Sequence, residues 1–400
     1  MKKILALVLA VLMVASFSTM FTSCGNGSAD FKVGFIFLHD ENSTYDLNFI
    51  NAVKTAQQNL GLTDDQVIIK VNIPEGQECY DAAADLVDQG CSLIFADSFG
   101  HEPFMIQAAK AFKDVQFCHA TGTRAHTEGL SNYHNAFASI YEGRYLAGIA
   151  AGMKLNEMIA AGKFKAEEAK IGYVGAYTYA EVMSGYTSFF LGARSVCPTA
   201  TMDVIFTGSW YDEAAEKEAA NNLIASGCKL ISQHADSMGA PTACEAAGVP
   251  DVSYNGSTLA AGPNTFIISS AINWAPYMEF IINSVKNGTE IPADWCKGLD
   301  AGSVVLSEIN EAVAAKGTKE AIETAKAALT NGTLHVFDIN TFTVNGAKLT
   351  DEHLADVDTD ENYTPDTKVV YDGYFHESEK RSAPYFDLRI DGIKLVNEKY

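Results

Sequence analysis

The sequence predicts an α/β protein of two similar doubly wound parallel-sheet lobes, and three observations carry that expectation. Short runs rich in Val, Ile and Phe recur from Phe31 onward with helical stretches between them, the alternation of a parallel sheet. One pattern in that series returns: Leu86-x-x-x-Gly90-Cys91-x-Leu93-Ile94 reappears as Leu223-x-x-x-Gly227-Cys228-x-Leu230-Ile231, with Ala82-Ala83 matched by Ala219-Ala220 and Gly34 by Gly172. At 400 residues, 48% of them hydrophobic and 20% charged, the chain is also too long for a single core.

Taken in order, Lys2 and Lys3 precede an apolar run from Ile4 to Ala15, and small and hydroxyl residues follow, so residues 1–23 read as an export leader. The four residues Phe21-Thr22-Ser23-Cys24 resemble the lipobox of bacterial lipoproteins, in which the cysteine is acylated and becomes the mature N-terminus. Two or more acyl chains on Cys24 would hold the protein stably at the outer face of the membrane, with residues 24–30 as a tether. Strands are expected at Lys32 to Leu38, Val67 to Ile73, Cys91 to Ala96, Val115 to Ala120, Lys170 to Ala176, Met202 to Thr207, Lys229 to Gln233, Pro250 to Asn255 and Thr265 to Ala271. Helices are expected between them, among others at Asp46 to Leu60, Glu78 to Gln89, Glu102 to Phe112, Tyr141 to Ala161 and Asp212 to Ser226. Glu142 and Arg144, at the start of a long helix, read as a structural ion pair.

Composition removes several functions. Lys plus Arg number 28 against 50 Asp plus Glu, a net charge of −22, and such a surface repels phosphate backbones, so nucleic acid is excluded as a partner. Cys79, Cys91, Cys118, Cys197, Cys228, Cys244 and Cys296 are odd in number and show no C-x-x-C spacing, which leaves neither a full disulfide framework nor a zinc motif. His234 and Asp236 share a strand face but lack a third metal ligand. Asp356-x-Asp358-x-Asp360 opens like a calcium loop, yet Glu361 replaces the glycine such a loop needs. No metal and no cofactor are expected. There is no Gly-rich Lys loop, H-E-x-x-H or G-x-S-x-G elbow, which argues against an enzyme.

Ligands of doubly wound sheets bind outside the carboxyl ends of the strands. Two lobes facing each other by those ends form one cleft, and the residues just past the strands line it. From that set the candidate ligand-binding residues are Tyr45, Asp97, Ser98, Phe99, Trp210, His234, Asp236, Asn255 and Trp274. Several aromatics and few cations suit a planar, largely uncharged molecule whose faces stack and whose edges take hydrogen bonds, a description that nucleobases meet.

Further motifs carry a resemblance. Ser98-Phe99-Gly100, His119-Ala120-Thr121-Gly122, Glu142-x-Arg144-Tyr145-Leu146-Ala147-Gly148-x-x-Ala151-Gly152, Leu191-Gly192-Ala193-Arg194-Ser195, Gly208-Ser209-Trp210-Tyr211-Asp212, Gln233-His234-x-Asp236-Ser237 and Trp274-x-Pro276-Tyr277 occur in order. Over about residues 31 to 330 the chain resembles the basic membrane protein family (Med, or purine-nucleoside-receptor type) of substrate-binding lipoproteins of ABC importers. The resemblance implies a type I periplasmic-binding-protein fold with three crossovers, lobe one being residues 31–138 and 270–302 and lobe two residues 139–269 and 303–330. It also implies a cleft that captures a purine nucleobase or nucleoside, with Tyr45 and Trp210 on its two faces, and an ABC permease as the partner. Nucleoside-binding members place an aspartate after the strand ending Ser253-Tyr254-Asn255-Gly256 and a lysine near Asn273-Trp274; both charges are missing here, which favours a free base or another ring compound. The rival readings are a ligand-sensing lipoprotein without transport and a nucleoside-processing enzyme. Residues 331–400 extend past the resemblance; strands are expected in them at Leu334 to Ile339 and Val369 to Tyr374, packed on lobe two.

Overall fold

The structure, a computed structural model, describes residues 31–358 and 363–399. The expected leader, the tether, Cys24 and the acidic residues Asp360 and Glu361 lie outside the described residues.

The repeated pattern proves to be a packing unit. In lobe one, β1 (Lys32–Ile36), α1 (Thr44–Leu60), β2 (Val67–Lys70), α2 (Gln77–Asp88), β3 (Cys91–Ala96), α3 (Glu102–Ala111), β4 (Gln116–Ala120), α4 (Ala125–Glu128) and β5 (Tyr133–Ala138) alternate. Lobe two repeats the arrangement with α5 (Ile140–Ala160), β6 (Lys170–Gly175), α6 (Ala180–Val196), β7 (Thr201–Phe206), α7 (Glu213–Ala225), β8 (Leu230–His234), α8 (Gly239–Ala247), β9 (Asp251–Tyr254) and β10 (Phe266–Ile272). Strand order is β2-β1-β3-β4-β5 in one sheet and β7-β6-β8-β9-β10 in the other, all parallel. Leu86 of α2 lies on Gly34 and Leu223 of α7 on Gly172, and Gly90 and Gly227 take the left-handed turns (φ 87° and 98°) that bring the chain into the next strand.

The chain crosses between the sheets three times. After β10 it returns to lobe one as α9 (Ala275–Asn287) and β11 (Asp294–Lys297), which pairs in parallel with β5, and then re-enters lobe two as β12 (Val304–Leu306), antiparallel to β10. A last helix, α10 (Thr318–Thr330), precedes the extension. The strands β5 and β11 escape an expectation built on apolar runs because they hold few Val, Ile or Phe, and β12, Val304-Val305-Leu306, because it is only three residues long. All six residues of β5 are buried, His134 and Asn135 included: the His134 ring contacts the Pro292 carbonyl at 3.1 Å, and Asn135 Oδ1 accepts from the Ala125 amide at 2.7 Å.

The expected Glu142–Arg144 pair is not formed. Glu142 Oε2 accepts from the Leu299 amide at 2.8 Å, across the third crossover. Arg144, fully buried, donates instead to Ser253 O, Ser232 Oγ and Tyr173 OH at 2.9–3.1 Å, and its guanidinium lies over the Phe189 ring at 4.8 Å. With 3.6 residues per turn, residues two apart point to different faces of a helix, which sends the two side chains to different neighbours.

The extension begins irregularly. Leu334 to Ile339 form no strand: Phe337 stacks on Phe386 at 4.4 Å, and Val336, Phe337 and Ile339 join the main hydrophobic core rather than a ladder. Short pairs follow, β13 (Leu354–Ala355) with β14 (Thr367–Lys368) and β15 (Val370–Tyr371) with β16 (Tyr374–Phe375). Finally β17 (Ile393–Leu395) adds in parallel to the free edge of β7. The extension also reaches lobe one, since the Ser382 amide and hydroxyl both donate to Asp294 Oδ1, at 2.8 and 2.7 Å.

The close approach at Gly172 sets a stability prediction. A Cβ there would sit 2.9 Å from Leu223 Cβ, which cannot swing aside, whereas at Gly34 it meets only the movable ends of Leu86. Gly172→Ala should cost about 1–3 kcal/mol by urea unfolding, and Gly34→Ala clearly less; equal losses would refute the packing account.

Candidate functional site

A narrow cavity lies between the lobes, lined by Leu38, His39, Tyr45, Asp46, Ser98, Phe99 and Thr121 from lobe one and by Glu181, Trp210, His234, Asp236 and Asn255 from lobe two. The lobes are closed over it. The Thr44 amide donates to Asp236 O at 3.1 Å and Asn48 Nδ2 to Asn255 O at 2.6 Å. Rings also meet across the gap, Phe99 with Tyr179 at 5.1 Å and His39 with Tyr211 at 5.5 Å.

Each wall follows from local chemistry. Ser43 caps α1, accepting from the Asp46 amide at 3.2 Å, while the Asp46 carboxylate accepts from the Ser43 hydroxyl at 2.5 Å and the His39 amide at 2.8 Å. This cap sets Tyr45 in the first turn, its hydroxyl donating to Asp97 O at 2.7 Å and its ring edge-on to Phe49. Opposite, the Trp210 carbonyl accepts from the Asp236 amide at 3.0 Å, and Tyr177 meets the indole edge-on at 5.1 Å. Thr121 and Asn255 take left-handed backbone (φ 66° and 65°), which turns the chain sharply just past β4 and β9; such residues concentrate at functional sites.

The cavity is acidic. Asp46, Glu181 and Asp236 line it and no Lys or Arg does. Burial, with the charges of Asp46 and Glu216, raises the Asp236 carboxyl well above its ordinary range, although Asn255 Nδ2 donates to its Oδ1 at 3.0 Å. Burial also raises Asp46, but the bonds from His39 and Ser43 outweigh it and hold that carboxyl below its usual value. Burial lowers the His234 imidazole, against the pull of Glu181 at 3.5 Å, and raises the Tyr45 phenol, so both rings are neutral near pH 7.

Two expected site residues stand elsewhere. Asp97 is fully buried behind the wall: its Oδ1 accepts from the Leu38 amide at 3.1 Å and its carbonyl holds Tyr45, so it supports the lining without forming it. Trp274, 1% exposed, stacks on Phe49 at 4.5 Å inside the lobe-one core. It follows a strand of sheet two, but at a crossover, and the chain's return to lobe one carries the ring into that lobe's interior. Tyr45, Ser98, Phe99, Trp210, His234, Asp236 and Asn255 share the cavity. His39 and Asp46 join them and are not among the residues expected from sequence; the Ser43-x-x-Asp46 spacing of a helix cap is the signal that could have found Asp46. Among the described residues no group of three His, Cys, Asp or Glu is arranged to hold a metal ion. No helix among them is long and apolar enough to cross a membrane.

This two-lobed cleft matches a known family: a model described as ABC transporter substrate-binding protein PnrA-like covers residues 38–335. The chain belongs to that family. PnrA-like proteins are extracytoplasmic solute-binding components of ABC transporters, a role that a cleft between two lobes serves. A purine-binding protein of Brucella abortus is 30% identical over 309 residues, 76% of this chain and 83% of that one. A Haloferax volcanii protein described as an ABC transporter glucose-binding protein is 36% identical over 217 residues, 54% of this chain and 51% of that one, so the chain spans about half of that relative. Among solved structures, an ABC transporter solute-binding protein from Conexibacter woesei superposes with a TM-score of 0.60 at 20% identity, over 76% of this chain and 98% of that one, which shows the shared fold.

The raised Asp236 carboxyl predicts a pH effect. The folded protein keeps that proton after the unfolded chain has lost it near pH 4, so burying Asp236 reduces stability as pH rises above about 3.9. Asp236→Asn, which still accepts from Asn255, should raise the melting temperature at pH 7, and the gain should shrink toward pH 4. A gain independent of pH would contradict the assignment.

Proposed function

We propose that this protein captures a purine nucleobase or nucleoside between its two lobes and delivers it to an ABC permease, held at the outer face of the membrane through acylated Cys24. The observation that carries the reading is the cavity itself: aromatic rings of Tyr45, Phe99 and Trp210 from both lobes, with carboxylates and neutral polar groups at the edges and no cation. Ring faces favour a flat ligand, stacking being worth roughly 1–3 kcal/mol per base. The carboxylate oxygens of Asp46 and Glu181 accept hydrogen bonds, which a purine supplies from ring N–H and exocyclic amino groups, and the neutral Asp236 carboxyl can donate to a ring nitrogen. Similarity to the Brucella purine-binding protein supports the same class. The carboxylates lie at the cavity edge without the aspartate and lysine that hold a ribose elsewhere in the family, and so a free base should bind at least as well as its nucleoside.

A thermal-shift panel of adenine, guanine, hypoxanthine, their nucleosides, flavins and glucose tests this, because a ligand that binds only the folded form raises the melting temperature. A purine should give the largest shift. Glucose or a flavin leading the panel would overturn the reading, as would turnover of a nucleoside. For the leading purine, Trp210→Ala should weaken binding by at least about tenfold, the loss of one stacking face, with the free protein still unfolding cooperatively; equal affinities by calorimetry would remove Trp210 from the site.

A further inference from the structure

The end of the extension lies past residue 335, where the family match stops, yet it is bonded to both segments that carry the aromatic wall of lobe two. Beyond β17 the Val396 amide donates to Val204 O at 2.8 Å, continuing the ladder along β7. Asn397 then takes over with its side chain: Oδ1 accepts from the Phe206 amide at 2.7 Å and Nδ2 donates to Phe206 O at 2.9 Å, satisfying both polar groups of the last residue of β7. Two residues on, the Lys399 amide donates to Thr178 Oγ1 at 2.9 Å and Lys399 O accepts from the Thr178 amide at 2.7 Å.

Those anchor points flank the site. Phe206 is followed by Gly208-Ser209-Trp210, and the aliphatic part of Lys399 lies against Gly208. Thr178, 6% exposed, stands between Tyr177 and Tyr179, whose rings stack at 5.0 Å. Tyr177 meets the Trp210 edge at 5.1 Å, while Tyr179 contacts Trp210 at 6.1 Å and Phe99 of lobe one at 5.1 Å. Without the tail, Thr178 would lose two hydrogen bonds, and the turn at Tyr177 to Tyr179 would be tied to the Trp210 loop only through the Gly208 amide on Ala176 O at 2.9 Å and through ring contacts.

We propose that the C-terminal tail, residues 396–399, is a positioning element of the ligand cavity. It clamps the turn at Thr178 to the end of β7 and so fixes the plane of Trp210 and the aromatic rim that closes on Phe99. The role rests on the proposed function only in that the fixed rings face a flat ligand; the clamp itself is a property of the protein alone. Pre-fixing the rings removes an ordering cost from binding, so the tail sets affinity without touching the ligand.

The test compares the full chain with one ending after Val396, which keeps β17. Hydrogen exchange of the two proteins without added ligand should be about tenfold faster in segments 176–180 and 207–211 of the shortened chain, the factor that loss of one ordinary hydrogen bond carries, with exchange in lobe one unchanged. Affinity for the purine that leads the thermal-shift panel should fall by a similar factor. In the full chain Thr178→Val, which removes the acceptor for the Lys399 amide, should reproduce part of both effects, and Thr178→Ser, which retains it, should restore them. Unchanged exchange in the shortened chain, or equal behaviour of the two Thr178 variants, overturns the proposal. If no purine binds the full chain, the purine reading fails, and the exchange comparison still decides the clamp.

Discussion

Closing the two lobes brings Asp46, Glu181 and Asp236 into one small enclosure with Asp97 just behind, and the remaining features of the site answer that constraint. Like charges in a low-dielectric space cannot all remain ionised without compensation. Asp46 is compensated by the α1 cap, whereas burial favours the neutral form of Asp236 and, together with the charge of Asp46, that of Asp97. A ligand rich in N–H donors fits that arrangement, and an anion does not. Closure and binding are thereby coupled, because only the closed form offers donors on the ligand acceptors from both lobes. The aromatic rings add affinity, and the carboxylates restrict which flat molecules receive it.

The duplicated lobe is what makes such an enclosure possible. The same Leu-on-Gly contact sets helix against strand in both halves, so both sheets present their strand ends in the same geometry. Three crossovers then oppose those ends. The buried guanidinium of Arg144 secures the lobe-two half from behind, bonded to β9 through Ser253 O and to β8 through Ser232 Oγ, the strands that lead into Asn255 and His234. The extension contributes from outside, lengthening sheet two by one strand and reaching Asp294 of lobe one.

Most of this was legible in the sequence wherever one physical rule acted alone. Buried parallel strands read as Val- and Ile-rich runs, and the rule that ligands sit past strand ends leads to Tyr45, Phe99, Trp210 and Asp236. Reading failed where two rules met. Trp210 and Trp274 both follow strands, but only the second sits where the chain leaves its sheet, and a crossover has no local signature. Asp97 has the right position and the wrong direction, since its carboxylate turns back to the Leu38 amide. The strand β5 is buried on every residue yet carries His134 and Asn135, each of which has one polar atom satisfied by distant backbone that no local pattern reveals. Glu142 and Arg144 looked like partners because charge suggests pairing, while the helix turns them to different neighbours.

The central claim, that the acidic enclosure closes around a donor-rich flat ligand, is tested most directly by small-angle scattering at neutral pH across a titration with purine. The account predicts that the radius of gyration of the free protein falls as ligand is added, and that acidifying the free protein toward about pH 4, where ordinary carboxyls take up protons, produces part of the same contraction without ligand. A radius of gyration that changes with neither purine nor pH would contradict it.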